Sequence, residues 1–285
     1  MQRQDFRFTH RLRVRWAEVD MQKIVFNAHY LMYFDTAVAD YWKALGLPYE
    51  TGLKSLDGDL FVAKASLDFH GSARYEDELD VAMRCERVGH SSIAFKGAIF
   101  RGENHLISAD IVYVFADPVS QKSRPVPDVF RSMLMGYEAG DDMLTVRVGN
   151  WAELGAEAQA IRSAVFVEEQ GIPADLEADE QDTHAVHAVA YNRLGQAVGT
   201  GRMVQLNKGE VKVGRMAVDR AVRGAGIGQA LLKALSAAAR GQGARQVTLS
   251  AQRTAVGFYL RQGYQRRDAP YLVAGIEHQD MVTDL

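Results

Sequence analysis

The stretch from Asn27 to Leu45 places the strongest constraint on the fold. Its apolar residues recur at helical spacing, and further apolar residues widen the stripe until little polar surface remains. These residues are Tyr30, Leu31, Phe34, Ala37, Val38, Tyr41, Trp42 and Leu45. Such a helix is expected to be buried on most of its sides. Strand-like runs surround it in the sequence, one before it at 7–16 and four after it at 60–69, 79–88, 92–101 and 106–115. The pattern predicts one long helix wrapped by an antiparallel sheet.

A short run of glycines and acids, GYEAGDDM from Gly136 to Met143, separates this pattern from a different one. The length of 285 residues exceeds the roughly 100 to 200 residues of one typical domain. From Leu144 onward the predicted order is a strand, a helix, three strands, a glycine-rich turn and another helix. No internal repeat relates the two halves. We therefore predict an α+β chain of two domains, over residues 1–138 and 144–285.

Composition and charge exclude several classes of function. A net charge of -3 gives no general attraction to nucleic acid or anionic membranes. No run approaches the roughly 18 consecutive apolar residues of a membrane span, and the first residues lack the pattern of a secretory signal. The single cysteine, Cys85, lies in an alternating strand and is interpreted as a packing residue. We expect a cytoplasmic protein with neither nucleic acid nor a membrane as a partner.

The first candidate catalytic residue along the chain is Asp20, which precedes the start of the long helix at Asn27. A carboxylate beside a helix N-terminus stays ionised, and free backbone amides there can polarise a carbonyl oxygen. This combination suits attack on an acyl group. From the residues alone, a loop or cap role for Asp20 stays open. His29 is a rival base, although on a buried helix it is better interpreted as a hydrogen-bonded core residue.

The same region, VRWAEVDMQKIVFNAHYLMYFDTA at 14–37, resembles the hotdog-fold acyl-CoA thioesterases, in the branch of the 4-hydroxybenzoyl-CoA thioesterases. The resemblance implies that Asp20 is the nucleophile or general base on the thioester. It implies that the backbone amide of Asn27 faces the thioester carbonyl, and it matches the family's helix tyrosine to Tyr30. It also implies a homo-oligomer, a dimer or tetramer formed through this domain, with the active site between two subunits.

Lys23 departs from the family pattern, which has glycine three residues after the acid. Glycine permits left-handed backbone angles that lysine resists, so another course of the loop is open. Pairing of Lys23 with Asp20 and contact with a phosphate of CoA are both open as well.

The second half contains a glycine-rich turn that runs straight into a helix, VRGAGIGQALL at 222–232. Gly224, Gly226 and Gly228 are spaced G-x-G-x-G and come late in the domain, unlike a dinucleotide-binding fingerprint, and no G-K-[ST] follows as in a P-loop. Backbone amides at such a turn can wrap a pyrophosphate. A tight turn that merely needs glycine explains the residues equally well, and a Rossmann oxidoreductase is the remaining alternative.

This turn resembles motif A of the GNAT superfamily of N-acetyltransferases, whose pattern Q/R-x-x-G-x-G/A is met by Arg223, Gly226 and Gly228. The resemblance implies a mixed α/β GNAT fold and CoA or acetyl-CoA as the cofactor, with no metal. The residues that it assigns to the pyrophosphate of CoA are Arg223, Gly224, Ala225, Gly226, Ile227 and Gly228.

Other parts of the second half extend the resemblance. Backbone groups near Met216 and Val218 fall where the family contacts the pantetheine arm and the acyl carbonyl, and Tyr259 falls on the tyrosine that protonates the departing thiolate. Three further pieces resemble the branch of small bacterial acetyltransferases typified by ElaA, namely 161–173, 249–264 and 275–281. Within the branch's own motifs, Glu169 and His278 are the leading candidates for the base that deprotonates the amine acceptor.

Both halves therefore point to CoA thioesters. The favoured hypothesis is a bifunctional enzyme that hydrolyses acyl-CoA in its first domain and transfers an acetyl or acyl group from CoA to an amine in its second. Two alternatives stay open. One is an acyl-CoA-binding sensor, and the other is an active acetyltransferase whose hotdog half is only an oligomerisation scaffold.

Overall fold

The computed structural model of the chain describes residues 1–177, 179–273 and 275–285. The residue contacts divide into two units, Met1–Met143 and Leu144–Leu285. In the described ranges, none of the helices combines the length and the apolarity needed to cross a bilayer.

The first unit is an antiparallel sheet with a long helix against it. Its elements are β1 (Phe8–Arg13), α1 (Asn27–Ala44), α2 (Tyr49–Ser55), β2 (Asp59–Phe69), β3 (Glu78–Val88), β4 (Ser92–Arg101), β5 (Asn104–Ala116) and α3 (Asp128–Ala139). The five strands lie in the order β1-β3-β4-β5-β2, and every pairing is antiparallel. The predicted arrangement of sheet and helix is confirmed.

Helix α1 packs closely on the sheet because one strand residue has no side chain. A Cβ on Gly97 of β4 would lie 2.5 Å from the ring of Phe34, so the ring packs directly against the strand backbone there. The buried face of α1 consists of Tyr30, Tyr33, Phe34, Ala37, Val38, Tyr41 and Trp42. The opposite face is open in this chain, with Leu31 and Met32 exposed. The expectation of burial on most sides is therefore wrong for that face.

Strand β1 is shorter than predicted. It ends at Arg13, and Trp16, which the alternation would place inward, begins a 3-10 turn and is 73% exposed beside Tyr75. The strand stops because the carboxylate of Glu18 accepts the Arg15 amide hydrogen that a strand neighbour would otherwise accept.

The second unit is a mixed sheet with helices. Its elements are β6 (Leu144–Gly149), α4 (Trp151–Arg162), α5 (Ala174–Glu177), β7 (Val186–Asn192), β8 (Ala197–Asn207), β9 (Glu210–Val218), α6 (Ile227–Gly241), β10 (Gln246–Gln252), α7 (Val256–Arg261), β11 (Gln265–Val273) and β12 (Ile276–Asp284). A π-helical turn, Ser163–Glu169, follows α4. The strand order is β11-β12-β10-β9-β8-β7-β6.

The parallel neighbours β9 and β10 part halfway along their length. They pair from Glu210 and Gln246 as far as Val213 and Leu249, and both strands then continue unpaired with each other. The register between β8 and β9 also shifts at this point, and Arg215 adopts a left-handed φ of 50°. The bulge bends β9 away from β10 and opens a cleft between the two strands.

Candidate functional sites

A tight turn presents Asp20 in the first unit. The Asp20 amide donates to the Ile24 carbonyl at 2.9 Å, and the Lys23 amide donates to the Asp20 carbonyl at 2.9 Å. Lys23 adopts φ 62°, the left-handed conformation that glycine accepts freely. The loop therefore does not avoid the left-handed conformation, which Lys23 adopts at a cost of about 1 to 2 kcal/mol. In the described part of the chain, no ion pair joins Lys23 to Asp20.

Asp20 and the start of α1 leave polar groups available. The Asp20 side chain is half-buried and accepts the Gln22 amide at 2.8 Å. Asn27 is the first residue of α1 and is exposed, and no side chain caps this helix end. Among the residues that the structure describes, the Asn27 amide has no backbone acceptor. This end of α1 can therefore donate to an oxygen that develops negative charge.

Glu18, which the sequence reasoning missed, fixes the loop to α1. Its carboxylate is only 3% exposed and accepts hydrogen bonds from the Arg15 amide at 2.7 Å, the Arg15 guanidinium at 2.6 Å and the Tyr33 hydroxyl at 2.7 Å. Burial raises the pKa of Glu18, but the hydrogen bonds from Arg15 and Tyr33 outweigh it and hold the pKa below the usual value. The three-residue spacing of Arg15 and Glu18 was the sequence signal that could have predicted this ion pair.

Two further residues near the turn are Tyr30 and His29. The Tyr30 hydroxyl accepts the Ala73 amide at 2.9 Å, and burial raises its pKa, so it anchors the chain after β2 as a neutral phenol. His29 is half-buried against the Phe26 ring, and in the described residues its side chain makes no hydrogen bond. The interpretation of His29 as a hydrogen-bonded core residue is therefore wrong.

The glycine-rich turn of the second unit leaves backbone amides free at the start of α6. Gly224 and Gly226 adopt φ 92° and 81°, which only glycine adopts without strain, and Gly226 caps α6. The first helical donor is Ala230, whose amide reaches the Gly226 carbonyl at 3.0 Å. Within the described ranges, the preceding amides of Ile227 and Gly228 have no backbone acceptor. The positive end of α6 and these amides suit a phosphate group.

A cavity of about 580 Å³ lies over this turn. The residues of the sequence prediction that line it are Met216, Val218, Arg223, Gly224, Gly226, Ile227, Gly228 and Tyr259. Ala225 differs, because its amide donates to the Val222 carbonyl at 3.3 Å and its side chain packs against the core. The assignment of Ala225 to the pyrophosphate of CoA stays a prediction.

A second cavity, of about 360 Å³, lies in the cleft between β9 and β10. It shares Met216, Gln252 and Tyr259 with the first, so the two cavities adjoin at these residues, and together they are called the groove. Tyr259 is 7% exposed, and burial raises its pKa well above the ordinary value. Its hydroxyl thus keeps its proton at neutral pH and can serve as an acid.

His278 lines this second cavity on β12. Its Nδ1 lies 2.9 Å from the Ile276 carbonyl, and its ring stacks on Tyr271 at 6.2 Å. Because a carbonyl only accepts, Nδ1 carries the hydrogen in the neutral ring and Nε2 is the basic nitrogen.

The structure does not bring Glu169 to His278. Instead Glu169 accepts two hydrogen bonds from the Arg223 guanidinium, both at 2.6 Å, and lines a different cavity beside Glu168. The hydrogen bonds from Arg223 lower the pKa of Glu169, which makes it a weaker base. Arg223 also donates from Nε to the Val218 carbonyl at 3.1 Å. Arg223, predicted to bind the pyrophosphate of CoA, and Glu169, predicted as a base, are thus hydrogen-bonded to each other.

Family comparisons match both units. The acetyltransferase (GNAT) domain family matches residues 153–285, and the thioesterase superfamily matches residues 22–108. Both resemblances drawn from the motifs, and the fold class that they imply, are confirmed.

Individual proteins are similar to one half of the chain or the other. An uncharacterized N-acetyltransferase of Bacillus subtilis, YjcF, is 39% identical over 129 residues, covering 45% of this chain and 91% of that protein. A putative esterase of Aquifex aeolicus is 24% identical over 94 residues, covering 33% of this chain and 73% of that protein. The crystal structure of Escherichia coli ElaA is 26% identical, with a TM-score of 0.45, covering 49% of this chain and 98% of that one.

Proposed function

Because the chain belongs to the GNAT acetyltransferase family and has a thioesterase-superfamily domain ahead of it, we propose that it is a bifunctional enzyme of acyl-CoA thioesters. The first unit hydrolyses acyl-CoA, and the second transfers an acetyl or acyl group from CoA to an amine. The observation that supports the proposal most strongly is the groove of the second unit, which runs from the free amides of α6 to Tyr259 and His278.

Transfer in the second unit follows from the order of groups along this groove. The amides of Gly226, Ile227 and Gly228 hold the pyrophosphate of CoA, and backbone groups near Met216 and Val218 hold the pantetheine arm and the acyl carbonyl. His278 accepts at Nε2 one proton from the ammonium form of the acceptor, the neutral nitrogen attacks the thioester carbon, and the nitrogen then releases a second proton to solvent. The C–S bond then breaks, and the thiolate takes the proton of Tyr259.

Hydrolysis in the first unit uses Asp20 as the nucleophile or general base. Support comes from the turn that holds its carboxylate before α1 and from the exposed Asn27 amide, a donor available to the oxyanion. The anchoring of this turn through Glu18 and Tyr33 fixes the carboxylate relative to the helix end.

The first unit also has a surface suited to a second copy of the chain. Strand β2 is at the edge of the sheet, and it exposes Val62 and Phe69. Leu31 and Met32 on α1 are exposed too. An edge with unpaired backbone groups and apolar side chains favours pairing. We propose a homodimer or tetramer with the thioesterase site between subunits, and a monomer in light scattering would count against it.

The lone cysteine supports a reducing compartment. Cys85 is free and buried, and burial raises its pKa to about 12, so it is an inert thiol. We propose that the protein works in the cytoplasm.

The test is release of CoA thiol from acetyl-, hexanoyl-, palmitoyl- and benzoyl-CoA, first without and then with an amine. Wild type is compared with Asp20→Asn, with Tyr259→Phe and with Asp128→Asn, a control at an exposed carboxylate. Asp20→Asn should lose the amine-independent release alone, and Tyr259→Phe the amine-dependent release alone. Amine-dependent release without any hydrolysis would favour the scaffold alternative. CoA binding with neither reaction would favour the sensor.

A further inference from the structure

The cavity in the cleft of the second unit contains a cation that the transfer mechanism does not use. Arg215 lines it together with His278 and Tyr259. Arg215 sits on the bulge of β9 with a φ of 50°, a conformation that a non-glycine residue adopts only under strain. The strained bulge puts a guanidinium in the wall of the space where the acceptor amine must meet the thioester.

Arg215 is poorly neutralised. Its Nη2 donates to the Leu176 carbonyl at 3.2 Å and to Asp179 at 3.0 Å. Its Nε is buried and has no hydrogen-bond partner among the described residues. Asp179 is shared, because Arg202 also binds it, at 2.5 and 2.9 Å. Burial and the neighbouring Arg202 lower the pKa of Arg215, and the shared Asp179 offsets them only in part.

The other carboxylates nearby are committed to other arginines. Arg162 is 1% exposed and binds Asp182 at 2.8 and 2.9 Å, and it also binds Glu177. Arg202 binds Asp182 at 2.6 Å. The pKa of Asp182 is raised by burial but lowered further by both arginines, so it stays ionised for them. Asp182 and Glu177 are therefore bound by Arg162 and Arg202, and among the described residues Arg215, at the cavity, has an ion pair only with the shared Asp179.

We propose that the acceptor is a small amine that also has a carboxylate, an amino acid or a similar amino-carboxylate, which binds through its carboxylate to Arg215. The inference rests on the transfer proposed above. The ammonium group gives one proton to Nε2 of His278, and its neutral nitrogen bonds to the acyl carbon. The nitrogen then releases a second proton to solvent, and the C–S bond breaks. The thiolate takes the proton of Tyr259, which His278 restores through solvent. The products are the N-acyl amino-carboxylate and CoA.

The cavity also fits the rest of such a molecule. Its volume of about 360 Å³ suits a small ligand, and its walls include the apolar residues Phe166, Ile172 and Leu176. An apolar side chain on the amino-carboxylate would lie against them. A polycationic acceptor would need a free carboxylate in the cavity wall. The carboxylate that lines the cavity, Glu177, is bound by Arg162.

The test uses two matched pairs of probes, L-leucine with isoamylamine and L-phenylalanine with phenethylamine, in which each amine lacks only the carboxylate. Binding to the CoA-loaded protein is measured by calorimetry, and acylation by thiol release with acetyl-CoA. A charge-assisted hydrogen bond predicts at least about tenfold tighter binding of each acid. Arg215→Met should abolish this preference and leave amine binding unchanged. Arg266→Met, at an exposed arginine of β11, should keep the preference.

Each outcome decides one proposal. Equal or weaker binding of both acids, no binding at all, or a preference that survives Arg215→Met overturns the inference. Acylation of the amines in preference to the acids overturns it too, while leaving the transfer function intact. Tight, Arg215-dependent binding of an acid that is never acylated supports the subsite and contradicts the transfer function.

Discussion

The anchoring of the Asp20 turn through Glu18 can be tested by removing the carboxylate. Glu18→Ala loses two charge-assisted hydrogen bonds, from the Arg15 amide and from the buried Tyr33 hydroxyl, each contributing about 1.5 to 3 kcal/mol. The Arg15 guanidinium adds little, since it is mostly exposed. The free energy of unfolding of the first unit should therefore fall by about 3 to 6 kcal/mol. Thioester hydrolysis should fall about 10- to 100-fold although Asp20 is intact.

The assay is urea-dependent amide exchange of peptides from α1, with peptides from α6 as the internal reference. Tyr33→Phe should cost about 1.5 to 3 kcal/mol, and the double variant with Glu18→Ala should cost less than the sum, because both remove one shared bond. Because the pKa of Glu18 is lowered in the fold, its stabilisation is present above its unfolded pKa and is lost as the pH falls through its folded pKa. A loss below about 1 kcal/mol, or strict additivity, would refute the anchoring.

The remaining predictions concern single groups. Tyr259→Phe should lower the rate of acyl transfer about hundredfold with little change in acetyl-CoA affinity. Because burial raises the Tyr259 pKa, the wild-type rate should not decline through loss of this proton up to about pH 9. A decline with pH that wild type and variant share would exclude Tyr259 as its cause. Gly97→Val should destabilise the first unit by about 1 to 3 kcal/mol in thermal unfolding, because its Cβ would lie 2.5 Å from a ring of α1. Gly241→Ala is the control, and it should change stability little because nothing lies within 4 Å of its new Cβ. Gly226→Ala should weaken CoA binding about 5- to 30-fold in calorimetry, since alanine resists φ 81° by about 1 to 2 kcal/mol; unchanged affinity would contradict the anion site.

The sequence by itself determined the elements whose signals are local. Helix α1 was predicted over 27–45 and spans Asn27–Ala44, because its apolar spacing repeats within one turn of helix. The strand β4 was predicted with its observed ends, Ser92 and Arg101. The left-handed angles of Gly224 and Gly226 follow from residue type, since glycine is the residue that adopts them without strain.

Only the tertiary structure decided which distant side chains meet. Arg223 and Glu169 are 54 positions apart, and their ion pair makes Glu169, a predicted base, the partner of a residue of the glycine-rich turn. Arg215 and His278 face one cavity because β9 and β10 part after Val213, which no local pattern records. Local spacing specifies backbone conformation and which face is apolar. Packing fixes register and bulges, and these decide which charges share a wall and which cation must share its carboxylate with another.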